Sequence, residues 1–224
     1  MRAELRSEIE RVVPGLDGWC PVEKALAMAE VVLAERPRVC VEIGVFGGRS
    51  LIPQALALRE VWDEDESSVN VEIAGAPERK RGIIYGIDPW KKGAVLEGVN
   101  DPKNDEWWRN LDLGAIFATC ARCVAAQRVT EHVALLQIGS EEAAPLFGLG
   151  GIDILHVDGN HSELSSCRDV TLYLPKVRPG GRIWMDDTNW ATTQPAVRMV
   201  EAHCDLLRTL QGEGTESRLY RKRS

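Results

Sequence analysis

No run of apolar residues in this 224-residue chain approaches the roughly 18 needed to span a bilayer, so no membrane role is expected. The stretch MRAELRSEIERVV at the start mixes both charges at helical spacing and lacks the apolar centre of a signal peptide. A cytoplasmic location is the expectation that follows. Basic charge is not in excess: 27 Lys and Arg stand against 34 Asp and Glu, a net charge of −7. General nucleic-acid binders present a basic face, and nothing here supplies one. The basic end, Arg218, Arg221, Lys222 and Arg223, is a short solubilising tail. The six cysteines form no disulfide framework, and a cytosolic chain keeps its thiols reduced. Cys120 and Cys123 make a lone C-x-x-C in a helical stretch with no second ligand pair, so zinc is not expected there. Internal repeats and low-complexity tracts are absent.

What the chain does have is a set of short apolar runs: VCVEIG at 39–44, IIYGID at 83–88, VALLQIGS at 133–140, IDILHVDG at 152–159 and GRIWMDD at 181–187. Continuous rather than alternating hydrophobicity is the pattern of parallel strands buried on both faces. Each run stops on a residue with chemistry. Ligands of open α/β sheets sit outside the carboxyl ends of the strands. Gly44, Asp88, Ser140, Asp158, Asp186 and Asp187 are therefore expected to meet along one edge.

Between the strands the pattern is helical at 2–13, 21–36, 49–62, 113–128, 141–147, 162–173 and 193–204. VNVEIA at 69–74 alternates like an extra edge strand, and 206–210 with 217–221 looks like an antiparallel hairpin around Gly212 and Gly214. Residues 89–112 read as one long polar loop with Trp107 and Trp108 in it, and loops of that length usually serve a site. The expected organisation is one domain, 1–224. Residues 1–36 form a helical cap or lid, and 89–112 an active-site loop.

The turn Glu42-Ile-Gly44-Val-Phe-Gly47-Gly48-Arg49-Ser50 joins a buried strand to a helix. Its glycines let main chain approach a ligand, and the helix start offers free N–H groups to an anion. The spacing is G-x-x-G-G rather than G-x-G-x-x-G, which suits a carboxylate better than a pyrophosphate. Asp88 either grips a ribose diol or, with Pro89, merely closes its strand as a turn.

Asp158, Asp186 and Asp187 each end an apolar run, where a carboxylate is costly unless paired. Three such groups together would repel, and a hard divalent cation such as Mg²⁺ would relieve the repulsion. Alternation along a strand lets both Asp186 and Asp187 contribute only if the strand ends or bulges there. The plainer reading is a single aspartate capping the next segment. Asn160 and Asn189 are close enough in sequence to bond these carboxylates. His161, three residues after Asp158, is either a proton acceptor or a helix-start histidine bonding a neighbouring carboxylate. His156, inside its strand, is a core residue or a support for the site.

In this order and spacing, VEIGVFGGRS, GIDPW, QIGSEEAAP, IDILHVDGNHS and PGGRIWMDD resemble the class I S-adenosylmethionine-dependent methyltransferases over roughly residues 35–222. More narrowly they resemble the metal-dependent O-methyltransferases, both catechol-type enzymes and those that methylate sugar hydroxyls of natural products. The resemblance implies a doubly wound Rossmann-like α/β fold. Its seven-stranded, mostly parallel sheet has order 3-2-1-4-5-7-6, with the seventh strand antiparallel. It implies Glu42, Gly44, Gly47 and Ser50 around the methionine end of the cofactor and Asp88 on the ribose. Trp90 would lie near the adenine, with Gly139 and Ser140 lining the adenine pocket. It places a divalent cation, Mg²⁺ or another, on Asp158, Asp186 and Asp187. Catechol-type relatives often have asparagine where this chain has Asp187, as in the sugar-modifying branch. Where they can carry a lysine base, this chain has His161, with Asp158 as its rival. The acceptor is a hydroxyl of a small molecule, a sugar or a natural product; nucleic acid and membrane are not expected partners. The amphipathic N-terminal helices could supply a homodimer contact. Two other readings share the architecture: an NAD(P)-dependent oxidoreductase and a non-catalytic cofactor-binding protein.

Overall fold

The computed structural model describes residues 1–66, 81–99, 102–212 and 214–224. Among them, seven strands form one sheet: β1 Val39–Ile43, β2 Ile83–Ile87, β3 Val133–Leu136, β4 Ile152–Val157, β5 Val177–Met185, β6 Cys204–Gln211 and β7 Glu216–Lys222. Their order is β3-β2-β1-β4-β5-β7-β6, and only β7 runs antiparallel to its neighbours. This is the expected topology. The terminal pair is a hairpin whose turn closes with a Gly212 N–H to Thr215 O bond of 2.8 Å. The alternating segment at 69–74 lies outside the described residues.

Alternation within the buried strands divides the core in two. Cys40, Ile84, Ile154 and Trp184 face a layer built from α1 (Ala3–Val12), α2 (Val22–Glu35), α3 (Leu51–Glu66) and α6 (Leu113–Ala126). Val41, Leu155, Ile183 and Met185 face α8 (Glu163–Tyr173) and α9 (Gln194–His203). Leu5, Ile9, Met28 and Val32 are at most 2 % exposed, so α1 and α2 are part of the first layer. The segment between them and the first turn of α2 reach towards the strand ends. Helix α2 stops at Arg36, which takes a left-handed conformation just before Pro37.

Residues 89–112 are not the single loop expected. They hold α4 (Lys92–Val95) and α5 (Pro102–Asn110), with the short α7 (Ser140–Ala143) following β3. Pro102 opens α5, where its missing N–H costs nothing, and Asp105 pairs with Arg109 one turn on. A mostly polar surface hides the helical period of this segment. No helix among the described residues is long and apolar enough to cross a membrane.

The register brings the site together. Glu42 on β1 lies beside His156 on β4, which lies beside Trp184 on β5. Two residues further along the same face come Gly44, Asp158 and Asp186. The strand ends thus present their polar residues side by side.

Candidate active site

A cavity of about 820 Å³ opens at the carboxyl ends of β1 to β5, within the usual range of ligand sites. Gly44, Ser50, Asp88, Gly139, Ser140, Asp158, His161, Asp186 and Asp187 all line it. These nine residues come from five strand ends and the turns after them, in keeping with the sequence pattern. Glu42, Gly47 and Trp90 do not line it. Glu42 is fully buried beneath the wall. Gly47 packs on Asp17, whose Cβ and carbonyl would meet any added side chain within 2.5 Å. Trp90 is buried against Phe117, and its indole N–H donates to Phe46 O at 2.9 Å. It holds the glycine turn from behind, outside the lining of the cavity.

Asp88 closes that turn. Its carboxylate accepts from the main-chain N–H groups of Val45, Phe46 and Trp90 at 3.1, 3.0 and 2.7 Å. A carboxylate has about four acceptor positions, so about one remains for a ligand hydroxyl. Of the two readings of Asp88, turn closure is the one seen here. Burial pushes its pKa upward, partly offset by those N–H bonds. Gly139 has no atom within 4 Å of where a Cβ would stand, which leaves the wall open there. Beside it Ser140 donates to Asp169 at 2.5 Å and accepts at its carbonyl from the Tyr173 hydroxyl. Asp169, missed in the sequence because it sits mid-helix, is held up to about 6 by burial.

Beyond the glycine turn lies a polar network. Glu42 accepts from Ser50 and Gln54, both at 2.8 Å, and stands 3.2 Å from His156 Nδ1. The other ring nitrogen of His156 lies 3.3 Å from Asp186 and 3.8 Å from Asp158. His161 Nε2 lies 2.8 Å from Asp187 and 3.7 Å from Asp158. The Lys24 ammonium, arriving from the first turn of α2, donates to Asp186 Oδ2. Asp187 joins the cluster because β5 ends at Met185 and Asp187 adopts a positive φ of 49°. That left-handed turn lets two consecutive aspartates face one cavity.

The asparagines do other work. Asn160 donates to the carbonyls of Ala94, Val95 and Glu97, and Asn189 donates to Gly214 O. Neither bonds an aspartate of the cluster.

Charge in the cluster is nearly balanced internally. Burial pulls His156 down, but Asp186 and Glu42 carry it up to about 10. His161 is likewise pulled down by burial and carried up to about 10 by Asp158 and Asp187. Burial alone would favour neutral Lys24, yet Asp186 and Asp158 hold its ammonium above the ordinary lysine range. Asp186 is driven well below the carboxylate range, because Lys24 and His156 outweigh its burial. Asp158, buried and beside Asp186, is pushed up to about 6.

Oxygen and nitrogen donors converge here in two overlapping groups, His156–Asp158–Asp186 and Asp158–His161–Asp187, each with ligand atoms within 4.8 Å of one another. Asp186 is 7 % exposed, and its Oδ1 has no hydrogen-bond partner. That orphaned oxygen and the three carboxylates fit a hard divalent cation.

Sequence reasoning missed four groups at this site. Lys24 heads an otherwise apolar stripe with Met28 and Val32 below it, a signal present in the sequence. The others are Asp169, the Glu97–Arg168 pair at the cavity edge, and Trp19, which stacks with Phe46, Trp107 and Trp108 at centroid distances of 5.1 to 6.0 Å. All four rings line the cavity.

A sequence profile described as a methyltransferase domain matches residues 41–188, from β1 to just past the aspartate pair. The chain belongs to this methyltransferase family. Solved structures agree on the fold of the methyltransferase. The Streptomyces achromogenes O-methyltransferase TomG, involved in tomaymycin synthesis and solved with S-adenosylmethionine, has 17 % identity and a TM-score of 0.60 over 100 % of this chain and 92 % of its own. The Bacillus cereus O-methyltransferase solved with S-adenosylhomocysteine has 13 % identity and a TM-score of 0.57, covering 99 % and 92 %. A Podospora anserina methyltransferase, also bound to S-adenosylhomocysteine, has 13 % identity and a TM-score of 0.60, covering 100 % and 89 %. No curated protein matches the chain in sequence.

Proposed function

We propose that this methyltransferase moves a methyl group from S-adenosylmethionine to a hydroxyl of a small, ring-bearing molecule. The observation that carries the proposal is one cavity with two chemically distinct ends. The Gly44–Ser50 turn, Asp88 and the Gly139–Ser140 opening make the cofactor end, and the Asp158–His161–Asp186–Asp187 cluster makes the reacting end. Asp88 and Ser140 would take the cofactor's ribose and adenine. Its carboxylate would be met by the N–H groups of the turn not already bonded to Asp88 or to main-chain carbonyls. The aromatic wall of Trp19, Phe46, Trp107 and Trp108 suits a flat ring or the C–H face of a sugar.

The acceptor oxygen attacks the sulfonium methyl in line. A C–O bond forms as the C–S bond breaks, and the hydroxyl proton leaves to Asp158, with the His161 imidazolium beside it steadying the carboxylate. Most of the acceleration is positioning of two bound molecules. Asp158, Asp186 and Asp187 would hold a divalent cation, Mg²⁺ by preference for oxygen ligands, which when bound lowers the pKa of an acceptor hydroxyl. His156 and Glu42 orient this end from below: neither lines the cavity, and both are buried.

The test is conversion of S-adenosylmethionine to S-adenosylhomocysteine with a panel of catechols, glycosides and sugar diols, with and without Mg²⁺. His161→Gln is expected to lower kcat by about 100-fold or more, with S-adenosylhomocysteine affinity unchanged. Full activity of that variant would remove His161 from the chemistry. Failure of the whole panel, with reduction of NAD⁺ by a panel alcohol instead, would overturn methyl transfer.

A further inference from the structure

Lys24 is a basic side chain set directly against a carboxylate of the aspartate cluster. It is 7 % exposed, comes from α2 and not from the strand ends, and donates to Asp186, one of three carboxylates suited to a divalent cation. The same carboxylate oxygen lies 3.3 Å from His156 Nε2. One oxygen of Asp186 is therefore already shared by two basic groups, while the other, Oδ1, is without a partner. An ammonium and a divalent cation cannot both sit close to one buried carboxylate without strong mutual repulsion, since charges are poorly screened there. Nor can Lys24 simply withdraw into solvent: its stem is packed at the head of the α2 stripe above Met28 and Val32, both fully buried.

We infer that Lys24 is the resident counter-ion of the aspartate cluster, and that a divalent cation binds there in competition with its ammonium. This rests on the proposed cation site but not on the identity of the acceptor. Three features of the cluster support it. Asp186 needs a positive partner because it is buried, and Lys24 supplies one in the metal-free protein. Asp187 and Asp158 already face His161 Nε2, at 2.8 and 3.7 Å. A cation arriving at Asp158, Asp186 and Asp187 then gains less than it would from three unpaired carboxylates. The position of Lys24 also links the cluster to the cavity mouth. It follows Trp19, Cys20 and Pro21, which line the same cavity.

The experiment is titration of Mn²⁺ into wild-type protein and into Lys24→Gln, Lys24→Met and Lys24→Arg, read by the electron paramagnetic resonance of free Mn²⁺ and by thermal shift. Lys24→Gln keeps a donor for Asp186 without the charge, and Lys24→Arg keeps the charge. The neutral variants are expected to bind Mn²⁺ at least tenfold more tightly than wild type, and to gain more in melting temperature on binding. Lys24→Arg is expected to resemble wild type. Equal affinity in all four proteins overturns the inference, as does tighter binding by Lys24→Arg than by Lys24→Gln. Absence of binding in all four overturns it too and removes the metal from the proposed function. S-adenosylhomocysteine titrated into the same samples reports separately on the cofactor end of the cavity and on folding of each variant.

Discussion

At the scale of the residue, the site is governed by what burial does to charge. Four carboxylates, Glu42, Asp158, Asp186 and Asp187, meet three basic side chains, Lys24, His156 and His161, and each carboxylate has a polar partner. Such networks are costly when incomplete, which is why Ser50 and Gln54 both serve Glu42 beneath the floor. Asp169 has a readable consequence. Its carboxyl, 3 % exposed, bonds Ser140 and is held up to about 6 by burial. A carboxyl raised in the folded state stabilises the protein below its unfolded pKa of about 4 and loses that contribution as pH climbs through about 6. Asp169→Asn keeps an acceptor for Ser140 and removes this loss. Its melting temperature is expected to exceed wild type by about 3 °C or more at pH 8, and the difference is expected to shrink towards zero at pH 4.5. A constant difference across pH would show that Asp169 does not titrate there.

At the scale of the element, legibility follows burial. The five parallel strands, four of them largely buried and β3 half-buried at the edge, are readable because a short, continuous apolar run between turn residues fits little besides a strand of such a sheet. Their order follows once the motifs resemble a family. Strand β5 reads short in the sequence because Pro179, Gly180 and Gly181 look like a turn, yet they lie within Val177–Met185 at an irregular register with β4. Helix α5 is unreadable for the opposite reason. Its surface is polar nearly all round, and its Trp pair packs on Trp19 and Phe46, which arrive from distant parts of the chain. Asp186 and Asp187 are readable as a pair, but the positive φ that lets both face the cavity is not. Trp90 sits near a ligand by resemblance alone, and packing against Phe117 draws it into the core. The exposed member of the aromatic wall tests α5 as an acceptor contact. Trp107→Ala is expected to raise the acceptor KM about tenfold, leaving S-adenosylhomocysteine affinity within about twofold, since Trp107 is 41 % exposed and supports little core. Equal loss of both would assign α5 to the cofactor instead.

At the scale of the molecule, one layer of helices does two jobs. Helices α1 and α2 bury the first face of the sheet, and the segment joining them carries Trp19 and Cys20 to the cavity, with Lys24 just beyond. The N-terminal region is thus both core and wall. Gly44 shows how tightly the two meet at the strand ends: a Cβ there would stand 2.0 Å from the Asp158 carbonyl, at a φ of 84°. The cofactor end of the cavity therefore depends on the whole sheet being assembled, and binding at that end is the central claim. Calorimetric titration of S-adenosylhomocysteine into the purified protein tests it most directly, with Gly139→Trp as the variant that fills the opening beside Ser140. The account predicts one ligand per chain for wild type and loss of binding for a folded Gly139→Trp. No binding by wild type, or equal binding by both proteins, would contradict it.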